Sequence, residues 1–327
     1  MDRQKLFGKA MAAGALAADH IGLTGPQDAV AASDPLGDVV IERDVPGKPH
    51  KGKVLLAVQA HLDDIPYYCG GTCAKLINEG YTGYLLRTSN DEKCGGQSNA
   101  ENILSNEREN VKMAKALGFT DVFDFYYRNH RMNNISTQEF RSRVVFLIRH
   151  LRVDTILSFN PWGHGEENPD HWVTGRVVEE ACWMSGMGND YPEHMLADVG
   201  IEQHGVSERY YYVGRHGQPY NRVVDIGSAI EQKIQSIAEC KSQGGGANGS
   251  KLKAKLAKEG KRLTILGNND ETADREYVRQ FLIGSYQLLG EQYGLGYAER
   301  FLYIDQRRGD PADSPVQKYI KENAVSM

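Results

Sequence analysis

The stretch from Val54 to Gly71, VLLAVQAHLDDIPYYCGG, constrains the fold more than any other part of the chain. Val54 to Ala60 is apolar or small except for Gln59. A run this short and this apolar suits a strand covered on both faces in a parallel sheet. His61, Asp63 and Asp64 follow at the strand's C-terminal end, and Pro66 and Gly70-Gly71 then lead into a helical pattern. The carboxyl edge of an open α/β sheet is where ligands bind. One imidazole and two carboxylates within four residues are costly to desolvate unless they are paired or hold a metal.

Downstream, strand patterns at Tyr81–Thr88, Val122–Tyr127 and Thr155–Asn160 alternate with helical ones at Cys73–Glu79, Asn102–Leu117 and Thr137–Arg152. That alternation predicts right-handed βαβ units, hence an α/β fold with a mainly parallel sheet between helical layers. After Gly186 the pattern loosens. Arg209–Gly214, Val223–Ile226 and Phe301–Ile304 read as strands, and Ile230–Cys240 and Arg275–Gly290 as helices. Gly244–Ser250, GGGANGS, reads as a flexible loop. We divide the chain into a peripheral segment 1–52, a catalytic domain 53–305 and a tail 306–327.

Composition excludes some partners. A net charge of −5 among 327 residues gives no electrostatic footprint for nucleic acid, and no run reaches the ~20 apolar residues of a membrane span. Five cysteines without a CxxC pair point to a reduced, cytoplasmic setting. The alternative is export to a periplasm. Arg3, Lys5 and Lys9 before an Ala-rich run resemble a degenerate twin-arginine signal at 1–20, although Gln4 stands where a second arginine belongs.

A second polar loop follows the Thr155 strand: NPWGHGEENPDHWVTG, Asn160 to Gly175. His164, Asp170 and His171 should therefore open onto the same sheet edge as His61 and Asp64. Two histidines and a carboxylate make a common ligand set for a catalytic metal, and a further carboxylate can take a proton from water. The competing reading is strand-end polar residues bonded to loop backbone. The metal reading requires convergence. No single ion at ~2.0–2.2 Å could bridge the set if His171 Nε2 lay more than about 8 Å from the Asp64 carboxylate.

The motif AHLDD before a glycine pair, and PWGHGEENPDHWVTGRVVEEA further on, resemble the two signature motifs of the LmbE-like (PIG-L-like) N-deacetylases, AHPDDE and HPDH. RTSNDEKCGG, NERENVKMAKALGF and GYAERFLYI resemble the segments that go with them. The resemblance implies an LmbE-like, Rossmann-like three-layer sandwich. It also implies zinc-dependent removal of an N-acetyl group from an N-acetylglucosamine-containing glycan or conjugate, with water on the metal as nucleophile; ferrous iron suits the same ligands. By the same resemblance His61, Asp64 and His171 are the metal ligands, Asp63 is the general base, Asp170 orients a neighbouring imidazole and Arg108 contacts substrate. Glu166 is a second candidate for binding substrate.

Three positions depart from the family pattern: Leu62 for proline, Ile65 for glutamate and Asn168 for the first histidine of HPDH. The last matters most. Asparagine can donate a hydrogen bond to an oxyanion but cannot deliver a proton. We therefore list Asn168 and His164 with Asp63 as catalytic candidates. Two alternatives stay open: a glycan-binding relative that keeps the metal without turnover, and an amidase of a larger conjugate. The implied partner is a small molecule or glycan bearing an N-acetylated amino sugar, and a homo-oligomer stays open.

Overall fold

The computed structural model describes residues 38–196, 200–306 and 315–325. The proposed signal at 1–20 lies outside them. Eight strands form one sheet: β1 (Val40–Glu42), β2 (Val54–Gln59), β3 (Thr82–Ser89), β4 (Asp121–Tyr127), β5 (Thr155–Phe159), β6 (Glu208–Tyr212), β7 (Arg222–Asp225) and β8 (Ala298–Asp305). Their order is β1-β7-β8-β6-β5-β2-β3-β4. Every neighbouring pair is parallel except those of β8, which runs antiparallel between β6 and β7.

The first helices are α1 (Asp64–Tyr68), α2 (Gly70–Asn78), α3 (Asn99–Leu117), α4 (Thr137–Leu151) and α5 (Pro169–Ser185). They are followed by α6 (Ile230–Glu239), α7 (Asn248–Lys258), α8 (Asp270–Phe281), α9 (Gly284–Gln292) and α10 (Pro315–Asn323). Alternate residues of the central strands enter opposite layers, as the two-residue period of a strand requires. Leu55, Ala57, Leu85 and Leu157 join a core with Cys73, Leu76, Met113, Leu117, Ile234 and Ile237 from α2, α3 and α6. Leu56, Val58, Leu86 and Ile156 join another with Phe140, Val144, Ile148, Val173 and Val177 from α4 and α5. The result is the three-layer α/β sandwich expected.

The order places the site. From β2 the chain steps to β3 and β4 on one side, then returns to β5 on the other. That reversal between β2 and β5 is a topological switch point, where the two outgoing loops diverge and leave a crevice.

Three expectations needed correction. The segment 1–52 is not wholly peripheral, because Val40–Glu42 pairs with Arg222–Val224 as the edge strand. Arg275–Gly290 is not one helix. α8 ends at Phe281 and α9 starts at Gly284, with Ile283 buried in the core between them. Gly244–Ser250 is not a free loop, since Gly244, Gly246 and Gly249 are buried. A Cβ on Gly249 would come within 1.9 Å of the Ala273 carbonyl oxygen. Glycine there allows α7 to cross α8 at close range, a packing use that composition cannot distinguish from mobility.

Candidate metal centre

The turn after β2 is built by its own backbone. Asp64 opens α1, and its Oδ2 accepts from the amides of Ala60 at 3.0 Å and His61 at 2.6 Å. Gln59, the one polar residue of the strand, accepts from the Ile65 amide and donates to Asn110 of α3. Leu62 and Ile65, two of the departures from the family motif, are fully buried. Leu62 also donates its amide to Asp91 at the end of β3. The turn is thereby tied to both neighbouring elements.

The second loop arrives through β5. Asn168 caps α5, with its side-chain oxygen accepting from the Asp170 amide at 3.0 Å and Pro169 at the first helical position. His171 stacks on Phe159 with ring centroids 4.3 Å apart, which fixes its plane. Although 110 residues apart in sequence, His61 Nδ1 and His171 Nε2 face each other at 3.0 Å. Asp64 Oδ1 lies 3.3 Å from His171 Nε2, and Asp64 Oδ2 lies 3.6 Å from His61 Nδ1. All three side chains are buried.

The outer nitrogens explain why the inner ones converge. His61 Nε2 donates to Asp170 Oδ2 at 3.1 Å. Asp170 is fully buried and also accepts from the Asn129 side chain and the amides of His130 and Met132. Burial works against its charge, but the His61 bond and these amides hold its carboxyl down at about 2. His171 Nδ1 faces Glu166 Oε1 at 3.3 Å. The contact is off the line of a good hydrogen bond, so that nitrogen is only weakly satisfied. Burial opposes ionisation of Glu166 as well, yet His171 and the Arg215 guanidinium, 3.0 Å away, bring it to about 2. With metal bound, Asp170 on the outer nitrogen of His61 would fix the tautomer that turns Nδ1 inward as a lone pair, and Glu166 beside His171 Nδ1 would favour, less firmly, the one that turns Nε2 inward. Two imidazole lone pairs and a carboxylate at one point form a donor set that suits a divalent cation.

Asp63 sits beside this set. Removal from water and the neighbouring Asp64 charge push its carboxyl up to about 7. The loop that sequence reading left free closes over it. A Cβ on Gly244, at φ +67°, would meet Asp63 Cβ at 2.8 Å, and the Gly244 carbonyl accepts from the Tyr67 hydroxyl. Glu109 accepts from both the amide and the hydroxyl of Ser242, and Asn106 accepts from Gln243, so α3 anchors the strap.

The other candidates separate from this group. Arg108 is exposed on the outer face of α3, whose inward positions are Asn102, Asn106 and Asn110. His164 is exposed, and among the described residues only its carbonyl is engaged, by Gln218. Glu166, expected to meet substrate, is committed to His171, Arg215 and the Asn168 amide. Asn168 Nδ2 points at His171 Nε2 from 3.3 Å. Sequence reading missed His130, whose ring centroid lies 6.2 Å from that of His61. It follows β4 in left-handed backbone at φ +60°. The only signal for it was its position after a strand on the same edge.

Comparison with known proteins gives similarity over much of the chain. Residues 56–182 match the family model described as PIG-L, GlcNAc-PI de-N-acetylase. Diacetylchitobiose deacetylase of Thermococcus kodakarensis is 29% identical over 195 residues, spanning 58% of this chain and 70% of that protein. Among solved structures, N,N'-diacetylchitobiose deacetylase from Pyrococcus horikoshii superposes with a TM-score of 0.60 at 22% identity, over 78% of this chain and 84% of that one. The 4-carboxy-2-hydroxymuconate hydratase of Pseudomonas putida superposes at 0.56 and 18% identity, over 79% and 98%. At those identities the superpositions establish fold alone, and the fold serves more than one reaction. Both signature motifs lie within residues 56–182, and over that segment the chain is similar to the PIG-L (LmbE-like) family.

Proposed function

We propose that this protein is a metal-dependent N-deacetylase that hydrolyses the N-acetyl group of an N-acetylglucosamine-containing glycan or conjugate. One observation carries the reading. The inward nitrogens of His61 and His171 meet Asp64 within 3.6 Å, with an unligated carboxylate, Asp63, on the adjoining residue. His61, Asp64 and His171 would hold zinc, with ferrous iron the other metal this set suits. When bound, the ion supplies a Lewis acid that polarises the acyl oxygen and brings the pKa of water to about 7.

The remaining work falls to side chains of this chain. Asp63 accepts a proton from the attacking water and, lying next to the reacting carbon, returns it to the departing nitrogen. Asn168, its oxygen fixed by the Asp170 amide, directs its NH2 toward the centre and can donate to the developing oxyanion. Asp170 and Glu166 hold the two imidazoles in register. The Gly244 strap keeps bulk water from one side of Asp63.

Acetate release from N-acetylglucosamine and from N,N'-diacetylchitobiose, with and without a chelator and with metal content measured, tests the reading. Chelator-sensitive acetate release is the expected result. Protein that holds one equivalent of metal yet releases none from either sugar would favour the metal-retaining, non-hydrolytic relative. The absence of the usual histidine at Asn168 is the observation that makes this alternative worth testing.

A further inference from the structure

The outward stripe of α5 departs from the polar pattern of a surface helix. Its exposed side chains, Trp172, Arg176, Glu180 and Trp183, fall four, eight and eleven residues from the first and so share one side of the helix. Both ends of the stripe carry indoles, exposed at 40% and 59%. The chain has three tryptophans, and the third, Trp162, is exposed at 57%. Among the described residues nothing covers them, although tryptophan is ordinarily well buried. Trp162 joins the N-terminal end of the stripe. With Pro161, Gly163, Trp172 and Arg176 it lines an open groove of about 310 Å³. Its amide donates to Asn160 Oδ1 at 2.9 Å and its ring meets the buried Tyr211 edge-on at 5.9 Å, so the groove wall is fixed. One end of the stripe is thus a groove, and the other is an exposed indole.

The charges between those ends have opposite signs. Arg176 makes no ion pair or side-chain hydrogen bond with another described residue. Glu180 pairs with Arg141 and stays exposed. Read in reverse, the stripe complements itself. Two α5 helices laid antiparallel about a twofold axis at Val178 bring each Arg176 opposite the partner's Glu180, because both lie two residues from the axis. Trp172 lies six residues before the axis and Trp183 five after it, so they come level within about 1.5 Å. We propose that this face of α5 is an isologous interface between two copies of the chain, in which the Trp183 of each enters the Trp162–Trp172 groove of the other. The exposed parts of the three indoles supply roughly 230–390 Å² per copy. That is about a third to a half of the ~800 Å² per partner in a standard interface, and the helix surface between them adds to it. Tryptophan and arginine are also the residues that carry most interface energy. A saccharide or an unrelated protein would account for the indoles, but not for opposite charges set equally far from one point.

Sedimentation velocity of the full chain over a dilution series tests the interface, with circular dichroism to show that each variant is folded. Wild-type protein should run at twice the chain mass at micromolar concentration and dissociate on dilution. Its tryptophan emission should move to longer wavelength over the same range. Trp183→Glu should raise the dissociation constant by about thirtyfold or more, the usual loss for a central interface tryptophan. Arg176→Glu and Glu180→Arg each place like charges at both contacts, so either chain alone should dimerise about tenfold more weakly. Mixed together, these two chains should form a heterodimer with near wild-type affinity, since every contact then joins opposite charges. No effect confined to one chain can produce that restoration. Leu104→Glu, at an exposed position on α3, should leave the dimer intact. A wild-type chain that stays monomeric up to millimolar concentration would overturn the proposal. If tetra-N-acetylchitotetraose then shifted its tryptophan emission, the groove would belong to a saccharide instead. A dimer that survives Trp183→Glu, or that Leu104→Glu dissociates in its place, would put the interface elsewhere. Failure of the Arg176→Glu and Glu180→Arg chains to pair when mixed would also overturn it.

Discussion

The turn after β2 and the loop that leads into α5 meet at the centre but are built differently. In the turn, Asp64 is bonded to amides three and four residues back, and Asp63, Asp64 and His61 lie within four residues. Most of its geometry is local. The loop from Asn160 to Asp170 owes its shape to partners elsewhere: Arg215 on Glu166, Gln218 on the His164 carbonyl, and Asn129 with the amides of residues 130 and 132 on Asp170. The turn is a preformed anchor, and the loop becomes a site only when the rest of the fold has assembled. Outside the ligands His61, Asp64 and His171 themselves, substitutions should therefore act on turnover at the turn and mainly on metal affinity or order in the loop.

The largest effect belongs to the turn. Asp63→Asn preserves shape but removes the proton acceptor, so kcat should fall by ~10² or more while metal content stays at wild type. Loss of metal in that variant, with His61 and Asp64 intact, would make Asp63 a ligand and end the base assignment. Gly244→Ala should come next. Its new Cβ would meet Asp63 Cβ at 2.8 Å in a backbone that already requires φ +67°. A displaced base should cost about tenfold to a hundredfold in kcat with metal retained. An unchanged kcat would mean that the strap does not position Asp63.

In the loop, the buried Asp170 supports His61 through a bond on the imidazole's outer nitrogen. Asp170→Asn should weaken metal affinity by about 10–100-fold and stability by roughly 1–3 kcal/mol, since the amide cannot accept every bond the carboxylate did. Competition against a fluorescent chelator and a thermal melt would read the two effects. Glu166→Gln should do less, under about tenfold in affinity. Its contact with His171 Nδ1 is off-line, and it lies on the less buried side of the centre. Equal losses from Asp170→Asn and Glu166→Gln would abolish the distinction between a deeply held imidazole and a loosely held one.

What the sequence revealed follows the same division. β2, β3, β4 and β5 and their helices were legible because a buried strand and an amphipathic helix each write a period into the chain. The acidic and imidazole groups at the strand ends were legible as chemistry. The partners of those groups were not. Nothing near Glu166 in sequence announces Arg215, and the glycines at 244–249 read as a loop because close packing leaves no apolar signature. Arg108 was misplaced relative to the centre for a related reason. Around Arg108 the inward face of α3 is polar, with Asn102, Asn106 and Asn110 serving buried bonds, and the apolar marker of the inner face begins only at Met113. His130 was overlooked because a lone histidine after a strand has no spacing to mark it.

The smallest effect is expected at His164, where the loop's looseness and the missing histidine of the family motif meet. Amide hydrolysis needs a proton for the leaving nitrogen, and Asn168 has none to give. In the proposed mechanism Asp63 has just taken one from water and lies beside the reacting group. His164 is exposed, between two glycines, with no hydrogen bond to its ring among the described residues. Holding it in place during turnover would cost side-chain and backbone entropy that nothing in the loop offsets. His164→Ala should therefore lower kcat by about tenfold or less, whereas loss of a true general acid costs ~10²–10⁴. His130→Ala provides the matching control, because that ring is the other imidazole near His61. A thousandfold fall in kcat with metal retained, in either variant, would move the acid role from Asp63 to that histidine. At His164 it would also show that the loop orders around substrate, and the contrast between a rigid turn and a loose loop would then hold only for the free protein.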